Sequence, residues 1–165
     1  MAFNGIDVRC SAIVFRKGEV LLVRRTRDGI AVWTLPGGTP REGESMAACA
    51  RRELSEETGV SADPSRVAFV LEAVPPGGSR RRLDIVFLVT GLVPGAEPQA
   101  QEPGVEPWFV PVDQLSELEL RPPIAGYLRG LRQQGARQYA PYLGNLWRPA
   151  DGAARRHEAL LSSLR

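Results

Sequence analysis

The sequence contains very little histidine and cysteine, and this scarcity limits the chemistry available to it. Its 165 residues include one histidine, His157, and two cysteines, Cys10 and Cys49. A structural zinc site needs four Cys or His ligands, so three scattered candidates exclude one. A Ser-His-Asp or Cys-His catalytic group would need the histidine near the end of the sequence. The composition therefore points to carboxylate chemistry in the body of the protein.

The sequence also lacks long apolar runs and a strong charge of either sign. No segment approaches the ~20 apolar residues of a membrane-spanning helix, and residues 1–10 contain no apolar signal-peptide core. The net charge is +2, which is too weak to indicate nucleic-acid binding. We interpret both cysteines as reduced, buried thiols, as is typical of a reducing compartment. These features predict a cytoplasmic protein with no membrane partner, and they give no strong signal for nucleic-acid binding.

Hydrophobic patterning predicts a domain made mostly of strands. The predicted strands cover residues 8–15, 20–23, 31–35, 67–74, 83–90 and 108–112. The first two are expected to form a hairpin across Lys17-Gly18. The string Pro36-Gly37-Gly38 is expected to interrupt regular structure, because proline and glycine both disfavour it.

Two or three helices complete the predicted mixed α+β fold. One covers residues 45–58, with Ser45 as its N-cap and Gly59 as its end, and another covers 124–134. Asp113 or Ser116 is predicted to cap a short helix after the last strand. Apolar spacing near residues 154–164 predicts a final amphipathic helix.

Three glutamates in the helix predicted over 45–58 share one helical face. Glu53, Glu56 and Glu57 stand at i, i+3 and i+4, which places their Cβ atoms ~5–6 Å apart. Two such ionised carboxylates repel by roughly 3 kcal/mol at an effective dielectric constant of about 20. Water offsets this repulsion on an exposed face, and a divalent cation offsets it on a sheltered one. Oxygen ligands select hard cations such as Mg²⁺ or Mn²⁺, which typically act on phosphates.

The spacing around these glutamates resembles the Nudix box, the signature of the Nudix hydrolase superfamily. Gly38, five residues, Glu44, seven residues and then the run from Arg52 to Val60 match it at every defined position. Residues 21–25, 33–38 and 108–112 also look like the family. The resemblance implies an α/β/α sandwich with a mixed β-sheet between helices. The resemblance covers roughly residues 7–134 in layout. We therefore assign residues 1–134 to a Nudix domain and 135–165 to a C-terminal extension, for which the apolar spacing favours a helix packed on the same domain.

The resemblance also implies a metal-dependent hydrolase that cleaves a diphosphate by attack of water on phosphorus. Glu53, Glu56 and Glu57 would bind Mg²⁺ or Mn²⁺, and the residue matching Glu53 serves as general base in some members. The metal site would further include Glu44 and the carbonyl group of Gly37. The implied catalytic set consists of Glu53, Glu56, Glu57, Arg52 and Glu102. Within it, Arg52 would hold the glutamates in place through a salt bridge.

Other candidate residues lie outside the helix. Many members add a carboxylate from the loop before the last strand, and Glu102 fits this position better than Glu106 because it stands six residues ahead of the final predicted strand. Arg24 and Arg25 are expected to follow a strand, with one of them either gripping a substrate phosphate or forming a salt bridge at the rim. Gly38 is a substrate-binding candidate, because a backbone without Cβ can approach a phosphate closely.

Two family features disagree about the substrate, which is expected to be a small nucleotide. A proline about sixteen residues beyond the box marks many ADP-ribose hydrolases, and Pro75-Pro76 falls there. The spacing of Glu102 instead favours nucleoside triphosphates, including oxidised purines. The alternative is a nucleotide-sensing or RNA-binding Nudix module without catalysis, although such modules usually have an incomplete glutamate set. The sequence is also compatible with a homodimer.

Overall fold

Two β-sheets and two α-helices make up most of the regular structure. The computed structural model describes residues 5–78, 80–134 and 141–149. The strands are β1 (Ile6–Ile13), β2 (Phe15–Arg16), β3 (Glu19–Arg27), β4 (Ile30–Thr34), β5 (Gly37–Gly38), β6 (Asp63–Ala73), β7 (Arg81–Thr90), β8 (Glu106–Pro111) and β9 (Tyr142–Asn145). The helices are α1 (Met46–Thr58) and α2 (Ala125–Gln134), and a 3₁₀ segment covers Val112–Glu117.

The larger sheet is mixed and has the strand order β5-β1-β7-β6-β9. Strands β1 and β7 are parallel, as are β6 and β9, whereas β5 with β1 and β6 with β7 are antiparallel. The smaller sheet is built on β3, which pairs antiparallel with β2, β4 and β8. The parallel pairing of β1 with β7 brings the first strand of the chain beside one that follows it by about seventy residues.

The predicted first hairpin is partly wrong. Strand β1 ends at Ile13 and belongs to the larger sheet, and only the short β2 pairs with β3, with Phe15 opposite Val20. The chain therefore passes from one sheet to the other at Val14. Both strands are apolar, so their pattern could not show which sheet each one joins.

The glycine pair is a second difference from prediction. Gly37 and Gly38 form β5 and pair with Ser11 and Cys10 of β1, instead of interrupting regular structure. A Cβ on Gly37 would collide with the Cys10 carbonyl oxygen and lie 2.7 Å from the Ser11 Cα. The missing side chains are therefore what allow this strand to approach β1.

The helix termini follow local sequence closely. The Ser45 hydroxyl accepts the Ala48 N–H at 3.1 Å, and Gly59, with φ of 68°, ends α1 by donating its N–H to the Ser55 carbonyl. The segment after β8 is a 3₁₀ helix with Pro111 at its N-cap position, so the predicted capping by Asp113 or Ser116 is wrong.

The core lies on both faces of the larger sheet. On one face, Leu54 of α1 packs with Ala12 of β1, and Cys49 of α1 packs with Cys10. On the other, Leu128 and Leu131 of α2 join the main core with side chains from both sheets. Each fully buried large apolar side chain contributes about 1.5–3 kcal/mol. The predicted α+β fold, with a mixed sheet between helices, is confirmed.

Only part of the predicted extension is described. Strand β9 pairs with β6, and Leu143 and Leu146 pack against the main core. The amphipathic helix predicted near 154–164 and His157 lie outside the described residues. Neither of the α-helices described is long and apolar enough to cross a membrane.

Candidate active site

Helix α1 carries the clustered glutamates and presents them in two environments. Leu54 is fully buried, and Glu57, three residues later, is only 3% exposed. Glu53 and Glu56 lie closer to solvent, with side chains 14% and 38% exposed. The repulsion expected between these carboxylates is offset by arginines, which contact each of them.

Arg52 is the centre of the more open part of the cluster. Its Nε and Nη2 donate to the two carboxylate oxygens of Glu44 at 2.8 and 2.9 Å. Its Nη1 donates to Glu53 Oε1 at 2.6 Å and to Glu56 Oε2 at 2.9 Å. Such charge-assisted, bidentate bonds are the strong ones in proteins. The role predicted for Arg52, holding the glutamates by salt bridges, matches these contacts.

Glu44 is stabilised in its ionised form. The hydrogen bonds from Arg52, followed by the backbone N–H of Arg41 at 2.9 Å, lower the pKa of the Glu44 carboxyl to about 2. The three surrounding carboxylates in turn raise the pKa of Arg52, with Glu44 contributing most. Glu44 and Arg52 are therefore both charged near neutral pH.

Glu57 occupies the buried end of the cluster. It forms an ion pair with Arg25 and accepts the Gly37 N–H at 3.0 Å. Burial raises the pKa of the Glu57 carboxyl, and the Arg25 charge opposes that rise. The contact with Gly37 joins α1 to β5, so the helix and the glycine strand form one unit.

Gly38 allows the Glu53 side chain to approach the backbone of β5 closely. A Cβ at this position would lie 2.6 Å from Glu53 Oε2. The glycine therefore leaves the space that the Glu53 carboxylate occupies. Gly38, predicted as a substrate-binding residue, contacts Glu53 in the structure.

The two arginines predicted to meet substrate have protein partners. Both lie within β3, not after it as predicted, and adjacent positions on a strand point to opposite faces. Arg24 pairs with Glu106 at 3.1 Å, which is the rim salt bridge given as the alternative. Arg25 points inward to Glu57 and to the Thr34 hydroxyl.

The predicted loop carboxylate, Glu102, forms no hydrogen bond or ion pair with the cluster within the described ranges. Glu102 is exposed, and among the described residues no side-chain partner of Glu102 is found. Its loop is nevertheless anchored to the end of α1, because the Gln99 N–H donates to the Thr58 carbonyl at 2.8 Å. The other loop candidate, Glu106, forms an ion pair with Arg24.

Sequence reasoning missed four residues around this site. Arg41 donates through Nη2 to Glu56 Oε1 at 3.1 Å as well as binding Glu44 through its backbone. Behind β5, Arg9 and Ser11 of β1 contact the buried Asp84 of β7. For Arg9, Ser11 and Asp84, the only sequence signal is that polar residues alternate with apolar ones in two predicted strands. This pattern does not reveal which strands are neighbours.

The donor chemistry of the cluster fits a hard divalent cation. Its donors are carboxylate and backbone oxygens, and Glu53 and Glu56 both reach one nitrogen of Arg52, so their oxygens lie close together. In the part of the chain that is described, no three acidic, histidine or cysteine side chains already surround one common point. An ion would therefore compete with Arg52 for these two carboxylates.

The fold and this helix define the class of protein. The family described as "NUDIX domain" matches residues 6–131, so the chain belongs to the Nudix family. The resemblance stated from the Nudix box is thereby confirmed.

Individual relatives add detail to this assignment. The chain is 42% identical over 67 residues to the "Putative ADP-ribose pyrophosphatase YjhB" of Bacillus subtilis, a match that covers 41% of this chain and 30% of that protein. It is 35% identical over 69 residues to "Phosphatase NudJ" of Escherichia coli, covering 42% and 45%. The matches thus span less than half the length of these curated relatives.

A solved structure resembles the chain over a longer stretch. The MutT NUDIX hydrolase from Burkholderia pseudomallei superimposes with a TM-score of 0.58 at 25% identity. The match covers 67% of this chain and 86% of that one.

Proposed function

We propose that the chain is a metal-dependent hydrolase that cleaves the diphosphate linkage of a nucleoside diphosphate joined to another moiety. The observation that carries this proposal is the complete carboxylate cluster: Glu44, Glu53 and Glu56 around Arg52, with Glu57 fixed against the glycine strand. A sensing or RNA-binding module without catalysis has no need for such an intact set. The same observation therefore argues against that alternative.

Each residue of the cluster has a role in this proposal. Glu53, Glu56, Glu57 and the Gly37 carbonyl would hold Mg²⁺ or Mn²⁺, with Glu44 at the edge of the site. When bound, such an ion neutralises phosphate charge and lowers the pKa of water. A carboxylate of the cluster takes a proton from the attacking water, whose oxygen forms a bond to phosphorus while the bridging P–O bond breaks. Arg52 keeps the carboxylates converged, and Glu102 is proposed to join when substrate binds.

The proposed substrates are ADP-ribose-like nucleotide sugars and nucleoside triphosphates, including oxidised ones. The printed name of the Bacillus subtilis relative and the position of Pro75-Pro76 support the first. The spacing of Glu102 supports the second. A cytoplasmic location is also proposed, supported by the free, buried thiols of Cys10 and Cys49; the homodimer stays a prediction.

A substrate screen tests the activity. Purified protein with Mg²⁺ or Mn²⁺ is offered nucleoside triphosphates, nucleotide sugars and dinucleotides, and released phosphate or pyrophosphate is measured directly or through a coupled phosphatase. We expect at least one compound to be hydrolysed, with activity lost when EDTA removes the metal. If none of these compounds is hydrolysed, the proposed hydrolase activity is disproved.

The variant Glu57→Gln tests the assigned site. It keeps the shape of the side chain but removes the charge that binds metal, so we expect kcat to fall by at least ~10². Glu42→Gln, an exposed glutamate in the preceding loop, is the matched control and is expected to keep wild-type kcat. Near-normal turnover by Glu57→Gln would show that the residue assignment is wrong.

A further inference from the structure

The face of the larger sheet opposite α1 changes from apolar to polar at one end. On β1, Ala12 packs towards α1, so Arg9, Ser11 and Ile13 lie on the other face, because successive side chains of a strand alternate. Ile13 belongs to the main core. Arg9 and Ser11 instead meet Asp84, which neighbours Arg9 on the adjacent strand β7.

These three side chains form a connected network with short distances. The Ser11 hydroxyl donates to Asp84 Oδ1 at 2.7 Å, and Arg9 Nε donates to Ser11 Oγ at 3.2 Å. Arg9 Nε also lies 3.8 Å from Asp84 Oδ2, and Arg9 Nη2 donates to the Leu35 carbonyl at 2.9 Å. The guanidinium is thus held from two sides, by a strand and by the chain that enters β5.

A contribution to folding stability alone does not explain why this network is present. Asp84 is 2% exposed, and burial raises the pKa of its carboxyl, which shows that ionising it here is costly. Apolar side chains of similar volume often stabilise a core as well as a buried ion pair does. A buried carboxylate at the end of an apolar face therefore points to a need for the arginine that it orients.

Arg9 lies near the cluster and, among the described residues, forms no ion pair with a glutamate. Arg24 and Arg25 form ion pairs with glutamates. The Arg9 side chain is 21% exposed, and its Nη1 has no hydrogen-bond partner among residues 5–78, 80–134 and 141–149. Its Nη2 binds the Leu35 carbonyl, two residues before Gly37, and the Gly37 N–H binds Glu57, so Arg9 lies beside the strand that borders the proposed metal site.

We propose that Arg9 binds a phosphate of the nucleotide substrate through Nη1, and that Ser11 and Asp84 are positioning residues that fix its guanidinium for this contact. Guanidinium groups suit phosphate because they are planar, permanently charged donors. The ligand recognised is the phosphate portion of a nucleotide, whatever group it carries beyond. This inference rests on the proposed function, whose site it extends to the other face of the sheet.

Binding of ADP, measured by isothermal titration calorimetry on the full chain, tests the contact. We expect Arg9→Gln to weaken ADP binding on the order of tenfold or more, and Arg9→Lys, which keeps the charge, to weaken it less. Arg80→Gln is the matched control, since Arg80 is an exposed arginine paired with Asp7, and it should stay within twofold of wild type. If Arg9→Gln does not fold, Arg9→Lys and Ser11→Ala are compared with the same control.

The positioning role has its own readout. If Asp84 acts through Arg9, Asp84→Asn weakens ADP binding in the wild-type background but causes no further loss when Arg9→Gln is already present. A purely structural Asp84 would lower the thermal midpoint without this dependence on Arg9. ADP affinity within twofold of wild type in both Arg9 variants, additive losses in the double variant, or no ADP binding by the wild-type protein would each overturn the proposal.

Hydrolysis separates this proposal from the previous one. A wild-type protein that hydrolyses its substrate, with the KM unchanged by Arg9→Gln, disproves the phosphate contact and leaves the hydrolase intact. A wild-type protein that binds ADP in an Arg9-dependent way but hydrolyses nothing in the panel disproves the hydrolase and leaves the contact intact.

Discussion

Single arginines decide how the acidic residues of this protein are used. Arg52 binds three glutamates, and the buried Glu57 depends on Arg25 and a backbone N–H. Four carboxylates close together would otherwise repel one another strongly. The arginines thus hold the cluster together and offset part of its negative charge before any cation binds.

Arg52→Ala should expose this dependence. Removing one partner of a sheltered charge network leaves the others uncompensated, so we expect a loss of about 2–4 kcal/mol in the free energy of unfolding and at least a tenfold lower kcat. Urea denaturation at low ionic strength measures the first effect. Arg51→Ala, which removes an exposed arginine paired with Asp63, is the control. Equal destabilisation by the two variants would contradict the role given to Arg52.

At the scale of elements, the two-residue strand β5 connects the sheet to the acidic helix. It pairs with β1 on one side and donates the Gly37 N–H to Glu57 on the other. A displacement of β5 would therefore move a site group as well as a strand. Its sequence, two glycines, is what makes such tight contacts possible.

Gly37→Ala tests the role of β5. The added Cβ would collide with the Cys10 carbonyl oxygen, a backbone atom that cannot rotate away, so we expect a loss of about 2 kcal/mol or more and weaker metal-dependent activity. Gly126→Ala is the opposite case, because Gly126 lies in α2 with open space around its Cα. It should stabilise the protein by about 0.5–1 kcal/mol. Chemical denaturation measures the free energy of unfolding of both variants. An unchanged value for Gly37→Ala would contradict the close approach of β5 to β1.

At the scale of the whole molecule, the segment 141–149 completes the larger sheet. Strand β9 covers the free edge of β6, and the chain continues by donating the Leu146 N–H to the Glu72 carbonyl at 2.9 Å. Asn145 closes the contact, since its side chain accepts the Val74 N–H and donates to the Val74 carbonyl, both at 3.0 Å. The edge strand is thus protected by residues that follow α2.

Asn145→Ala removes both side-chain bonds to Val74. We expect a loss of about 1 kcal/mol in the free energy of unfolding and faster amide hydrogen exchange in β9. The kcat/KM of the hydrolase should not change, because these bonds involve no residue of the acidic cluster. Gln133→Ala, at an exposed position of α2, is the control. Unchanged exchange in β9 would show that this side chain does not hold the strand.

The sequence by itself determined the family, the acidic helix and its ends. These features are local, because a capping serine, a terminal glycine and glutamates at i, i+3 and i+4 act within a few turns of backbone. The α+β class also followed from the pattern of strands and helices. The hairpin of the first two strands and the break at the glycine pair were predicted only in part, since an apolar pattern specifies a strand but not its partner.

Only the tertiary structure decided which distant residues meet at the site and in the strands beside it. Ser11 and Asp84 are 73 positions apart in the chain, and they meet because β1 and β7 pair in parallel with a particular register. The same holds for Arg25 and Glu57, 32 positions apart. A register is set by the packing of the whole core, since a slip of one residue turns every side chain to the opposite face. For this reason the motif and Arg52 were predicted from the sequence, whereas the pairing of Arg25 with Glu57 was not.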